Sequence, residues 1–149
     1  MTHARTIIRN TIVSLLKNNS ALKRAAADRI YEYKVYPIDT VPSIMVYTPN
    51  EQVIDYTMGF PRTQTRQLNV IIEIFAKANA SLDQTTDSLT LEVEDVLSKD
   101  PTLGGMIKDL SLHSSETIFS SEGDKPIAVT TLTYHLTYRV KEHKPNKLL

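Results

Sequence analysis

The chain has no cysteine. That excludes disulfides, thiolate metal sites and cysteine nucleophiles together, and it fits a reducing compartment. Charge of one sign is also missing: seventeen Lys and Arg balance seventeen Asp and Glu. A neutral chain has no general electrostatic reason to coat nucleic acid or an anionic membrane, although a local basic patch remains compatible with it. No run approaches the ~20 apolar residues that a membrane span needs. Met1 to Thr6 leads into a charged amphipathic segment without the apolar core of a signal peptide. The sequons at Asn18 and Asn79 stand without any other mark of secretion and read as chance. Phosphate-loop, dinucleotide and nucleophile-elbow glycine patterns are all absent.

What is present is an ordinary globular composition. The 149 residues are 41% hydrophobic and 23% charged, which suits one domain that buries about two thirds of its unfolded surface without a staple. Ile8, Ile12, Leu15 and Leu16 have the spacing of one buried helix face, which predicts a helix over 4–18. Ala21 to Asp28 reads as a further helical turn or a loop. Arg29 to Tyr36 alternates as a strand until Pro37 stops it. Ser81 to Lys99 is the second main helix. Ser81 and Gln84 form a capping-box pair, Leu89, Val93, Val96 and Leu97 belong to its stripe, and Asp100-Pro101 ends it. Leu110 to Phe119 and Ile127 to Val140 are strands around a hydrophilic turn. In the second, Leu132, Tyr134, Leu136, Tyr138 and Val140 face the core, and Thr131, Thr133, His135, Thr137 and Arg139 face water. Lys141 to Leu149 is expected to be a flexible polar tail.

The centre of the chain is Val41 to Leu68. A proline-fenced apolar strand, Ile44 to Thr48, leads into a polar arm from Asn50 to Thr65, turning at Met58-Gly59-Phe60-Pro61. The chain returns through Leu68, Val70, Ile72 and Ile74, which line one strand face. The order of elements predicts an α+β fold: a mainly antiparallel sheet, two main helices packed on one face, and a projecting β-hairpin arm. On that arm Val53, Tyr56, Met58 and Phe60 are apolar points that cost solubility unless something covers them. Glu51 and Asp55 on the outward half stand ready to pair with Arg62 and Arg66 on the return. Glu51, Val53, Asp55, Tyr56, Met58, Phe60, Arg62 and Arg66 are therefore the candidate interface residues.

No catalytic constellation accompanies them. The four histidines lack zinc spacing, and His135 reads as a structural residue on a wet strand face. Glu92 and Asp95, at i and i+3, could share a cation but read better as the solvated side of a helix. The expectation is a protein that is not an enzyme and has no metal or cofactor, with its chemistry at an interface.

Several segments together resemble a family. They are Val41-Pro42-Ser43-Ile44-Met45-Val46-Tyr47-Thr48-Pro49-Asn50-Glu51, then Gly59-Phe60-Pro61-Arg62 before a long apolar strand. Val93-Glu94-Asp95-Val96-Leu97 before Asp100-Pro101-Thr102-Leu103-Gly104-Gly105 follows, and Leu132-Thr133-Tyr134-His135-Leu136-Thr137-Tyr138 closes the set. In order and spacing, over about residues 5 to 140, they look like the tail terminator (minor tail, tail completion) proteins of long-tailed, lambda-like phages and prophages. The resemblance implies one α+β domain over 1–149 that assembles as a ring, usually a hexamer. The ring sits on the last ring of tail-tube protein, stops polymerisation and offers a surface to the head-tail connector. DNA passes through the lumen without specific binding, no membrane is involved, and the protein ends in the virion after synthesis in the host cytoplasm. Another neck or tail-tube component is the alternative within that class. Outside it stand a small enzyme or ligand-binding domain and a nucleic-acid-binding module.

Overall fold

The structure, a computed structural model, describes residues 2–26, 29–32, 42–77, 82–120 and 127–149. Its elements are α1 (Ala4–Asn18), α2 (Ser20–Ala26), β1 (Ile30–Tyr31), β2 (Ser43–Tyr56), β3 (Thr63–Lys77), α3 (Leu82–Ser98), β4 (Asp109–Ser120) and β5 (Ile127–Lys141). The strands form one five-stranded sheet in the order β1-β2-β3-β5-β4. The short β1 is parallel to β2, and every other pair is antiparallel. The expected α+β architecture is the observed one, with the segment after Ala21 resolved as a third helix.

Strict alternation places the core. Along β5 every second residue from Ala128 to Val140 is buried, because a period of two puts one set of side chains against the helices and the other outward. Leu68, Val70, Ile72 and Ile74 of β3 and Ile44 and Val46 of β2 share that covered face. Against them pack Ile8, Ile12 and Leu16 of α1, Leu22 of α2, and Leu89, Val93 and Leu97 of α3. Each such side chain contributes about 1.5–3 kcal/mol when fully buried.

The helix ends have identifiable causes. The imidazole of His3 accepts the Arg5 N–H through Nδ1 at 3.1 Å, taking the place of the usual Ser, Asp or Asn cap of α1. Asn19 separates α1 from α2, and its side-chain oxygen accepts the Leu22 N–H at 3.0 Å. After α3, Gly104 (φ 71°) and Gly105 (φ 89°) occupy the left-handed region that glycine tolerates. Asp100 Oδ1 accepts the Gly104 N–H there at 3.0 Å. The Ser81–Gln84 capping pair, the Arg29–Tyr36 strand beyond residue 32 and the turn at 121–126 fall outside the described residues.

Two details change the picture of the arm and the tail. The arm is no free ribbon: β3 pairs with β5 along its whole length, from Thr63 opposite Lys141 to Lys77 opposite Ile127. Only the turn between Tyr56 and Thr63 extends past the paired strands. The C-terminal segment, expected to be flexible, is tied back instead. Pro145 O accepts the Ala4 N–H at 2.9 Å, the Leu149 N–H reaches Arg139 O at 3.0 Å, and Leu148 packs against the core.

Candidate interface at the hairpin tip

β2 contains two irregularities, between Tyr47 and Asn50 and between Val53 and Asp55. An extra residue in one strand flips the facing of everything beyond it. Continued alternation from Ile44 and Val46 would send Glu51 to the open face. The first irregularity turns Glu51 inward instead, opposite buried Leu68.

There Glu51 joins a charged cluster under the start of α1. Its Oε1 accepts from Arg66 Nη1 at 3.1 Å, and Arg5 Nη1 stands 3.8 Å away. Its Oε2 accepts the Tyr138 hydroxyl at 2.6 Å. Arg66 also donates to Gln64 Oε1 at 2.7 Å. The Tyr138 hydroxyl is held well above its ordinary pKa by burial and then by its bond to the Glu51 carboxylate. His3, above this cluster, is pushed below its ordinary 6.5, first by burial and then by the charge of Arg5. Glu51 and Arg66 thus pair as their signs suggested, but their side chains tie β2, β3, β5 and α1 together.

The other candidates lie outward. The turn is closed by two bonds between Thr57 and Thr63: Thr57 N–H to Thr63 O, and Thr63 N–H to Thr57 Oγ1, each 2.9 Å. Gly59 (φ 98°) supplies the left-handed residue, with no atom crowding its missing Cβ, so backbone conformation alone requires glycine. The Phe60–Pro61 peptide is cis. The Arg62 guanidinium lies 4.3 Å from the Phe60 ring centre and 5.2 Å from that of Tyr56, a cation–π arrangement. Arg62 is fixed from behind by Glu142, whose carboxylate is 3.8 Å away and whose N–H bonds Arg62 O at 2.9 Å. Met58 is 97% exposed, Phe60 79% and Tyr56 60%. Val53 stands exposed on the strand before the tip. Asp55 caps the neighbouring Tyr56 N–H at 2.8 Å and forms no ion pair with Arg62 or Arg66.

The structure therefore brings Tyr56, Phe60 and Arg62 into one ordered knob crowned by Met58, and withdraws Glu51 and Arg66 from it. Sequence reasoning missed Ile54, exposed beside Val53, and Ile118 and Phe119, exposed on opposite faces near the end of β4. The signal for the latter was an adjacent apolar pair at the end of an otherwise polar strand.

The open face of the sheet carries Thr131, Thr133, His135, Thr137 and Arg139, as expected from alternation. His113 stacks on His135 with ring centres 4.1 Å apart, and the Gln67 amide meets His135 Nδ1 at 3.2 Å. Glu73 is opposite Thr131, away from His135, and accepts the Tyr47 hydroxyl. Asp95 pairs with Lys99 at 2.9 Å and Glu92 meets Asn19 Nδ2 at 3.5 Å, so the two carboxylates have different partners. Among the described residues no three potential metal ligands come together. No described helix is long and apolar enough to cross a membrane. A basic cleft of about 270 Å³ at the C-terminal turn is lined by Lys141, His143, Lys144 and Lys147 with Leu149, a local cluster that the balanced total charge conceals.

Comparison with known proteins gives a likeness of fold. No family model matches the chain, and no curated protein matches it. Among solved structures it is similar to a chain of the virion of a native gene transfer agent particle, with a TM-score of 0.53 and 11% identity. The match covers 87% of this chain and 94% of that one. The two share a fold across nearly their full lengths.

Proposed function

We propose that this protein is a structural virion component, a single domain that closes into a ring on the end of a phage tail tube. The ring stops tube polymerisation and gives the head-tail connector its attachment surface, while DNA passes through the lumen. No catalysis and no cofactor enters the role. The observation that carries the reading is the hairpin tip, an ordered Tyr56–Met58–Phe60–Arg62 knob held out in solvent. Aromatic, methionine and arginine side chains are the types enriched at protein interfaces, and three exposed apolar ones around a half-buried arginine call for a partner.

The likeness in fold to a chain of a phage-like particle supports the same reading, as does the resemblance of the proline-fenced and glycine-turn segments to tail terminators. A ring of identical subunits needs two different patches on each. Here the hairpin tip, at the end of β2 and β3, and the edge strand β4 are two different surfaces of the sheet. A terminator must also match the tube on one face and refuse further tube subunits on the other.

The direct test adds the purified protein to polymerising tail-tube subunits from the same genome. Arrest of elongation with one ring at the tube end, seen by electron microscopy, is the expected result. Unchanged tube growth contradicts it. Incorporation throughout the tube would favour the tube-component alternative.

A further inference from the structure

The outer edge of the sheet holds a cleft of about 150 Å³ between the C-terminal half of α3 and the β4–β5 pair. Leu97, Leu110, Leu112 and Tyr134 line it, with Glu94 and Ser98 completing the wall. An apolar cavity of about this volume accommodates one benzene ring. Among the described residues two phenyl rings stand exposed, Phe60 at the hairpin tip (79%) and Phe119 on β4 (55%), and Phe60 is the one with a guanidinium beside it. Arg62 rides 4.3 Å from the centre of that ring. A ring entering the cleft therefore carries a guanidinium to its rim, where Glu94 stands. None of the ion pairs among the described residues involves Glu94. Shape and charge agree on one occupant.

We infer that the Phe60 ring of one copy seats in the Leu97–Leu110–Leu112–Tyr134 cleft of the next, with Arg62 meeting Glu94 across the junction. This rests on the ring reading and names its subunit contact. Knob and cleft are different patches, the knob at the end of the interior strands β2 and β3 and the cleft beside the edge strand β4 and α3. The contact is thus heterologous and leaves a free knob and a free cleft on every pair, so copies add until rotation closes the circle. Glu94 also explains selectivity: a neutral or basic wall would accept the ring but not the arginine beside it.

The test compares the full chain with Arg62→Glu, Glu94→Arg and the double variant by sedimentation velocity across concentration. Each single change sets like charges against each other at every junction, and each is expected to weaken association at least about tenfold. The double variant restores the pair with its sense reversed and is expected to reassemble. Restoration is the decisive arm, because Arg62→Glu also faces Glu142 within its own chain. Phe60→Ala, a change to an exposed side chain, is expected to abolish assembly while leaving the melting temperature in place. If the parent forms a discrete oligomer that both single changes leave intact, the knob-and-cleft contact is overturned and the ring reading stands. The same holds if the double variant fails to reassemble. If the parent never associates, alone or at a tube end, both are overturned.

Discussion

Arg66 donates to Glu51 at 3.1 Å across the β2–β3 pair, and each side chain is only 13% exposed. On a surface hairpin such a pair contributes at most about 1 kcal/mol. Here Glu51 also accepts from Tyr138, so removing it leaves the hydroxyl without its acceptor and the guanidinium without its counter-charge, though still bonded to Gln64. Glu51→Ala is expected to destabilise the fold by about 3 kcal/mol, read as a lower urea midpoint with an unchanged m-value. A loss below about 0.5 kcal/mol, the size of an ordinary surface substitution, would show the cluster to be inert.

The tip should behave in the opposite way. Met58→Ser with Phe60→Ser changes two side chains that are 97% and 79% exposed, the second beneath Arg62. Stability should stay within about 0.5 kcal/mol of the parent, while the oligomer dissociates. A large fall in melting temperature would mean that the turn belongs to the core. A deletion meant to remove the arm should be confined to residues 58–61, since Val53 to Tyr56 are paired with β3.

His3 makes stability depend on pH in a direction that can be worked out. Burial and then Arg5 lower its folded pKa below 6.5. Above that value the imidazole is neutral in both states and contributes no pH dependence. As pH falls through it, the unfolded chain takes up a proton that the folded chain resists, so stability declines toward the lower folded pKa. The bond from Arg5 N–H to Nδ1 requires the same neutral ring. His3→Asn keeps a cap without the titration. Its urea midpoint should fall less than that of the parent between pH 7.5 and pH 5.5; equal falls would exclude His3 as the cause.

The C-terminal segment offers a separate check. Ending the chain at Glu142 removes the Leu148 contact and the acceptor of the Ala4 N–H at Pro145. A loss of about 1–2 kcal/mol follows from one partly buried leucine and the freed N–H. A truncated chain as stable as the parent would restore the expectation of a flexible tail.

Much of the fold was legible because period and burial agreed. The alternation from Leu132 to Val140 and the spacing of Ile8, Ile12 and Leu16 each specify one buried face, and the core sits there. The polar sequence of Asn50 to Tyr56 was harder, since a strand held by backbone pairing at a sheet end needs no apolar alternation. The acidic residues of the outgoing half were expected to be able to pair with Arg62 and Arg66; Glu51 does pair with Arg66 and Asp55 does not, and the inward facing of Glu51 was not legible because it depends on the irregularity between Tyr47 and Asn50. The knob itself was legible in Tyr56, Met58, Phe60 and Arg62. The cleft was not, for its walls come from α3, β4 and β5, which only the fold brings together.

Closure into a ring is read from the mass in solution across a concentration series, by light scattering after size exclusion. One discrete oligomer is expected, six subunits in the simplest case that the family resemblance implies, whose mass stops rising once formed. A mass that climbs without limit, or one that stays at a single chain at every concentration and in the presence of tail tubes, would contradict it.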